Sequence, residues 1–268
     1  VVGWDVERNE SLRLYLNAAS NDERVLALDR LQLNSDGESS LQGVRYATLA
    51  WGDYDNDGDP DLVVSGMGAN GTSLTKLYQN DGGILLVDDM NSEALVNLHN
   101  GDLAWGDYDN DGDLDLAVSG ENTTTTGGLR EVTEFYLNEP TGTLGLDPTI
   151  TASAQVKGGA LAWADYDSDG NLDLAIAGRQ TSWGTSFQLY RNRPTGVLAV
   201  DATFNLNTTR RVDGNLAWID YDNDGDLDLA ATGRSIISDY QAFVFTGQDG
   251  RINGVSTETL LTGLAGGS

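Results

Sequence analysis

The chain reads as an all-β protein, a β-propeller or part of one, made of about five four-stranded antiparallel units. Three observations predict this. One eighteen-residue segment occurs four times without gaps, and its tryptophans (Trp51, Trp105, Trp163 and Trp218) fall 54, 58 and 55 residues apart. Each copy is followed by shorter apolar motifs separated by Gly, Asn and Asp, as expected of short strands joined by tight turns. No stretch carries a sustained 3.6-residue apolar period, and 33 glycines against 4 prolines suit many turns.

The four copies are LAWGDYDNDGDPDLVVSG from Leu49, LAWGDYDNDGDLDLAVSG from Leu103, LAWADYDSDGNLDLAIAG from Leu161 and LAWIDYDNDGDLDLAATG from Leu216. Strand one of a unit ends at the Trp and strand two is the apolar run that closes each copy. Strand three carries a weaker motif: Lys76-Leu77-Tyr78-Gln79-Asn80, Glu134-Phe135-Tyr136-Leu137-Asn138 and Gln188-Leu189-Tyr190-Arg191-Asn192, drifting to Ala242-Phe243-Val244-Phe245-Thr246. Strand four is a short stretch such as Gly83 to Val87 or Gly196 to Val200. About 55 residues and four strands is the size of a propeller blade. The units run 1–48, 49–102, 103–160, 161–215 and 216–268, within one repeat domain. The first is incomplete: Val1-Val2-Gly3 and Leu12 to Asn17 match the end of strand two and then strand three, without strand one and its loop. The far end, Gly263 to Ser268, stops where the next such strand would start.

Charge narrows the function. Fifteen basic residues against 42 acidic ones leave a formal charge of −27, which repels nucleic acid and anionic membranes and attracts cations. No apolar run approaches the roughly 18 residues that span a bilayer. The opening Val1-Val2-Gly3-Trp4 has neither the basic start nor the apolar stretch of a signal peptide, as expected of a mature or trimmed product. There is no cysteine, hence no thiolate or disulfide chemistry. The acidity is concentrated: 19 of the 42 acidic residues lie in four nine-residue loops.

Each loop reads D-x-D-x-D-G-x-x-D. The residues are Asp53, Asp55, Asp57, Asp59 and Asp61; Asp107, Asp109, Asp111, Asp113 and Asp115; Asp165, Asp167, Asp169, Asn171 and Asp173; and Asp220, Asp222, Asp224, Asp226 and Asp228. Carboxylates at positions 1, 3 and 5 can surround one centre if the chain curls tightly, and glycine at position 6 allows the turn. Position 7, which varies between Asp and Asn171, is expected to offer its main-chain carbonyl, and position 9 to return a fourth carboxylate. Hard, numerous oxygen donors select Ca²⁺, at four sites, over soft transition metals. Five acids in nine residues would repel one another without a cation. An EF-hand is excluded, because its twelfth-position Glu is replaced by Val64, Val118, Ile176 and Ala231.

These segments, DYDNDGDLDLAVSG with the LYxN echo, resemble the FG-GAP/VCBS-type repeats of integrin-α-like β-propellers over essentially the whole chain. The resemblance implies four-stranded blades, a calcium loop between the first two strands, and an extracellular role in adhesion or recognition. Phe-Gly and Gly-Ala-Pro signatures are replaced here by Ala-Trp-(Gly/Ala/Ile)-Asp and Ser-Gly-type sequences. Family members commonly close with about seven blades.

The expected function is a secreted or surface-displayed, calcium-stabilised structural protein without catalytic activity. Its partners would be calcium, copies of itself joined head-to-tail by strand addition, other surface proteins or glycans. A lectin-like module and a non-catalytic domain of a larger secreted enzyme are the other readings. The tryptophans and LYxN tyrosines are expected to pack between blades, and His99 to be an ordinary surface residue. Asn9, Asn70, Asn122 and Asn207 lie in glycosylation sequons, with Thr123 to Thr126 beside one of them.

Overall fold

A computed structural model describes residues 2–4, 10–12, 15–20, 23–28 and 41–252, apart from 124–126, 141, 151–153, 181–183, 194–196, 205–209 and 236–239. Nineteen strands and one short helix are formed by these residues. The first blade is β5 (Arg45–Gly52), β6 (Asp61–Met67), β7 (Ser73–Asp81) and β8 (Ile84–Val87), paired antiparallel in sequence order. The second is β9 (His99–Gly106), β10 (Asp115–Thr123), β11 (Leu129–Glu139) and β12 (Thr143–Leu146); the third is β13 (Lys157–Ala164), β14 (Asp173–Arg179), β15 (Thr185–Arg193) and β16 (Val197–Val200). In the fourth, β17 (Arg210–Ile219), β18 (Asp228–Ser235) and β19 (Tyr240–Phe245) are followed by a bridge between Gly247 and Ile252. Two-stranded pieces precede them: β1 (Val2–Trp4) with β2 (Glu10–Leu12), and β3 (Tyr15–Ser20) with β4 (Glu23–Leu28). Helix α1 (Asp89–Ala94) links the first two blades, capped by the Asp88 side chain. The architecture is a partial β-propeller.

The blades stack through their first strands, β5 on β9, β9 on β13 and β13 on β17. The second strands are consequently buried on both faces, which explains why they are apolar throughout rather than alternating. Along β6, Leu62 and Val64 pack with Tyr78 and Leu85, whereas Val63 joins Leu103, Leu116 and Tyr136 of the second blade. The same division places Ala117 and Phe135 against Leu161 and Ile176, and Ala175 and Leu189 against Leu229 and Phe245. Three of the four cores therefore lie between two blades, while the fourth, of Leu62, Val64, Tyr78 and Leu85 with Leu41 and Val44, belongs to the first blade and the segment that leads into it.

Every first strand carries a register irregularity upstream of the Leu-Ala-Trp segment, between Arg45 and Thr48, Ser119 and Glu121 (opposite β9), Lys157 and Ala160, and Val212 and Leu216. The strands thus begin four to six residues before the repeated leucine. In two blades the bulge needs glycine: a Cβ on Gly101 or Gly159 would sit 1.8 Å from the carbonyl oxygen of Ser119 or Ala177.

Rings lock the seams. Trp105 stacks on Tyr54 (6.1 Å, 11°), Trp163 on Tyr108 (5.7 Å, 12°) and Trp218 on Tyr166 (5.6 Å, 2°). Trp163 and Trp218 also donate their Nε1–H to the carbonyls of Ala104 and Ala162 in the preceding blade, at 3.2 and 3.1 Å. Trp163→Ala is expected to cost about 3 kcal/mol in chemical denaturation; an unchanged midpoint would show that the seam does not hold the array together.

Candidate metal centre

The four aspartate loops join the first strand of each blade to the second, and their backbones repeat. Position 4 is left-handed in all of them (Asn56, Asn110, Ser168 and Asn223, φ 59, 64, 56 and 61°), and so is the glycine at position 6 (φ 96, 100, 89 and 97°). Two left-handed residues two apart curl the chain around its own side chains. The position 6 amide then donates to the position 1 carboxylate: Gly58 to Asp53, Gly112 to Asp107, Gly170 to Asp165 and Gly225 to Asp220, at 2.9–3.1 Å.

Position 9 is the anchor. Asp61, Asp115, Asp173 and Asp228 have no solvent exposure. One oxygen accepts the position 2 amide in three loops, Tyr54 to Asp61 (3.1 Å), Tyr108 to Asp115 (3.0 Å) and Tyr221 to Asp228 (2.9 Å). The other oxygen accepts an amide at the end of strand three, from Asn80, Asn138, Asn192 or Gly247, at 2.7–2.9 Å. Burial outweighs these amides and pushes the carboxyl up to about 6 for Asp61 and about 7 for Asp115 and Asp173.

Carboxylate oxygens converge, within 4.8 Å of one another, from Asp53, Asp55 and Asp57; Asp107, Asp109 and Asp115; Asp165, Asp167 and Asp173; and Asp220, Asp222 and Asp228. Asp53 Oδ1, Asp167 Oδ1 and Asp173 Oδ2 are buried without a hydrogen-bond partner, an arrangement costly for bare carboxylates and satisfied by a cation. The donor set is all oxygen, and it fits a hard divalent ion. Asp111, Asp169 and Asp224 at position 5 lie outside these groups and instead accept the position 7 amide at 2.9–3.0 Å, as Asp57 does at 2.8 Å.

Position 7 side chains point elsewhere. Asp59 and Asp226 accept the amides of Gly82 and Asp249, while Asp113 and Asn171 accept the amide side chains of Asn56 and Asn110 from the preceding loop. Neighbouring loops are thus joined rim to rim.

Residues outside the loops complete the wiring. The position 2 tyrosines donate their hydroxyls to Asp88, Asp147 and Asp201 at 2.7–3.0 Å, each placed just after strand four of its own blade. In the sequence these aspartates are marked only by the recurrence Val87-Asp88, Leu146-Asp147 and Val200-Asp201. The LYxN asparagines have a role the motif did not disclose: Asn138 and Asn192 reach into the preceding blade and donate to the carbonyls of Tyr54 (2.6 Å) and Tyr108 (2.5 Å). The LYxN tyrosines Tyr78, Tyr136 and Tyr190 are buried and accept amides from Gln42, Val96 and Ala154, the segments that lead into their own blades.

His99 departs from expectation. It is buried, 3% exposed, with Nδ1 at 2.9 Å from Ser73 Oγ and Nε2 at 3.9 Å from Glu121, which Lys157 pairs at 2.7 Å. It sits at the start of β9, so it is covered by β7, β10 and β13; a lone histidine in sequence carries no sign of that. Asn70 is exposed and Asn122 donates to the Asn97 carbonyl at 2.7 Å, whereas Asn9, Asn207 and residues 124–126 and 253–268 fall outside the described residues.

Fold and site together define a class: a propeller-type repeat protein with an acidic ion loop in each described blade. The chain belongs to the FG-GAP-like repeat family, whose model matches residues 53–118, 107–176 and 165–231, each window spanning two successive loops. No curated protein sequence matches it. Among solved structures, it is similar to an Agrocybe aegerita lectin described for specific recognition of non-reducing terminal N-acetylglucosamine, at 14% identity and a TM-score of 0.59. That match covers 95% of this chain and 62% of the lectin, so the chain spans less than two thirds of its neighbour, and the likeness concerns the fold. Rhamnogalacturonan lyase YesW is also similar at 14% identity, with a TM-score of 0.38, over 82% of this chain and 52% of that one.

Protons and divalent ions should compete for the position 9 carboxylates. The raised groups hold a proton from the ordinary carboxylate range up to about 7, and ligation requires their ionised form, so apparent ion affinity should fall as pH drops from 7 to 5. Calorimetry in buffers of different ionisation heat should detect proton release on ion binding near pH 6; no release there would contradict these assignments.

Proposed function

We propose that the chain is a calcium-stabilised extracellular repeat module with a structural, adhesive and non-catalytic role. The observation that carries this reading is the repetition: each of four loops brings three carboxylates within 4.8 Å of one another, and three of their oxygens are buried without partners. The ions would be Ca²⁺, held by the loop carboxylates and by the main-chain carbonyls of Asp59, Asp113, Asn171 and Asp226. Because each position 9 aspartate also binds strand three, an ion there braces a whole blade. Sites of this kind in extracellular modules bind at about 10⁻⁴ to 10⁻³ M and would be empty in a low-calcium cytosol, which supports an extracellular setting.

Self-association belongs to the same proposal. The loop tyrosine of the fourth blade, Tyr221, is 51% exposed and Trp51 of the first blade 46% exposed, whereas their inner counterparts are paired in the seams. Seating Trp51 of one copy on Tyr221 of another would repeat the internal stack head-to-tail. A second reading, glycan binding, is favoured by the exposed ring of Trp51 as a sugar platform and would appear as a hit on a glycan array that Trp51→Ala abolishes.

Calcium removal tests the core of the reading. Chelation should lower Tm by about 10 °C or more, since mass action at four sites is lost, and Asp173→Asn should reduce the calorimetric stoichiometry from four ions to three. Equal melting with and without chelator would refute it. Sedimentation in millimolar calcium should show concentration-dependent association that Trp51→Ala suppresses; a monomer at every concentration rules out assembly while leaving ion binding intact.

A further inference from the structure

The four loops differ at one place outside the nonapeptide. The variable residue of LYxN is Gln79, Leu137 and Arg191 in the first three blades; in the fourth the register moves the motif by one residue, Phe245 rather than Val244 standing opposite Leu229 where the others have the tyrosine, so that the equivalent residue is Thr246. Gln79 donates its side-chain amide to Asp55. Leu137 packs into the apolar seam. Arg191 instead places a cation on a ligand: its Nε lies 3.0 Å from Asp167 Oδ2.

We propose that Arg191 is a built-in counter-cation that makes the third loop a weaker divalent-ion site than the second and keeps that blade seam closed when the ion is absent. This rests on the calcium reading above. Asp167 divides its two oxygens, with Oδ2 on the guanidinium and Oδ1 buried without a partner. The third loop is more than an acidic cluster, because Asp173 has no solvent exposure and its Oδ2 is likewise unpartnered. An ion bound there meets a positive charge across the same carboxylate, which both repels it and withdraws electron density from its ligand.

An opposing effect must be weighed. A partner that orients a ligand ordinarily strengthens a metal site by about ten- to a hundred-fold. Gln79 shows that a neutral side chain can supply that orientation to the equivalent Asp55, so the charge is the distinguishing property of Arg191. The guanidinium also stands 5.5 Å from the Tyr166 ring centroid, donates to the Tyr166 hydroxyl at 3.3 Å and to the Gly250 carbonyl at 2.9 Å, and approaches Asp201 at 3.9 Å. Tyr166 is stacked on Trp218 of the fourth blade, and Gly250 lies beyond that blade's third strand. Arg191 therefore ties the third blade to the fourth with or without an ion.

The test is a calcium titration of the ¹⁵N-labelled full chain followed at the amides of Gly58, Gly112, Gly170 and Gly225, one for each loop. The Gly170 midpoint should lie at several-fold higher calcium than that of Gly112. Arg191→Gln should lower it about three- to ten-fold with the other three unchanged, and Arg191→Lys, which keeps the charge, should leave it within about two-fold of the wild type. A Gly170 midpoint at or below that of Gly112, or one that is unmoved or raised by Arg191→Gln, overturns the proposal. If Gly112 and Gly225 respond while Gly170 behaves in either of those ways, only the role of Arg191 has failed. If no loop glycine responds to millimolar calcium, the calcium reading has failed with it.

Discussion

The structure depends on a carboxylate buried before anything neutralises it. At position 9 of each loop an aspartate is withdrawn from water and held by an amide at the end of strand three, and in three loops also by a loop amide. Burying a charge in this way is unfavourable unless hydrogen bonds and a cation offset it. The amides supply part of that offset, and in three of the loops the convergence of two further aspartates prepares the rest. An ion held at such a loop would thereby be coupled to blade geometry.

From that anchor the order spreads sideways. The residue that gives its amide to position 9 is a tyrosine, whose hydroxyl is held by the aspartate after strand four and whose ring receives the tryptophan of the next blade. Its carbonyl accepts the asparagine of the next blade's third strand. A single dipeptide, Asp-Tyr, thus meets the candidate ion site, the blade's own fourth strand and the neighbouring blade. Since three of the four apolar cores lie between two blades, coupling across the seams supports the folding of the array. Arg191 departs from the pattern by adding a tether independent of the ion.

Much of this was legible from the chain because repetition amplifies weak signals. Four copies of D-x-D-x-D-G-x-x-D, with glycine at the position that proves left-handed, disclosed the loops, and apolar Val64, Val118, Ile176 and Ala231 showed that a strand follows. The roles of Asp88, Asp147 and Asp201 were not legible, because a lone aspartate after a short strand looks like any turn residue until its partner tyrosine is seen. His99 was misjudged for the same reason: its environment comes from β7, β10 and β13, distant in sequence. The side chains of Asp59, Asp113, Asn171 and Asp226 turned to neighbouring loops and turns, which a within-loop pattern cannot register.

By itself the sequence determined the local chemistry: which segments are strands, where the backbone must turn left-handed, and which oxygens are near in the chain. These depend on interactions within about ten residues, and four repetitions made them unmistakable. The tertiary structure decided which of those carboxylates are buried, which face a common point and which serve the next blade. Burial and the links from loop to loop arise from strands more than fifty residues apart packing face to face, and no local pattern encodes that distance.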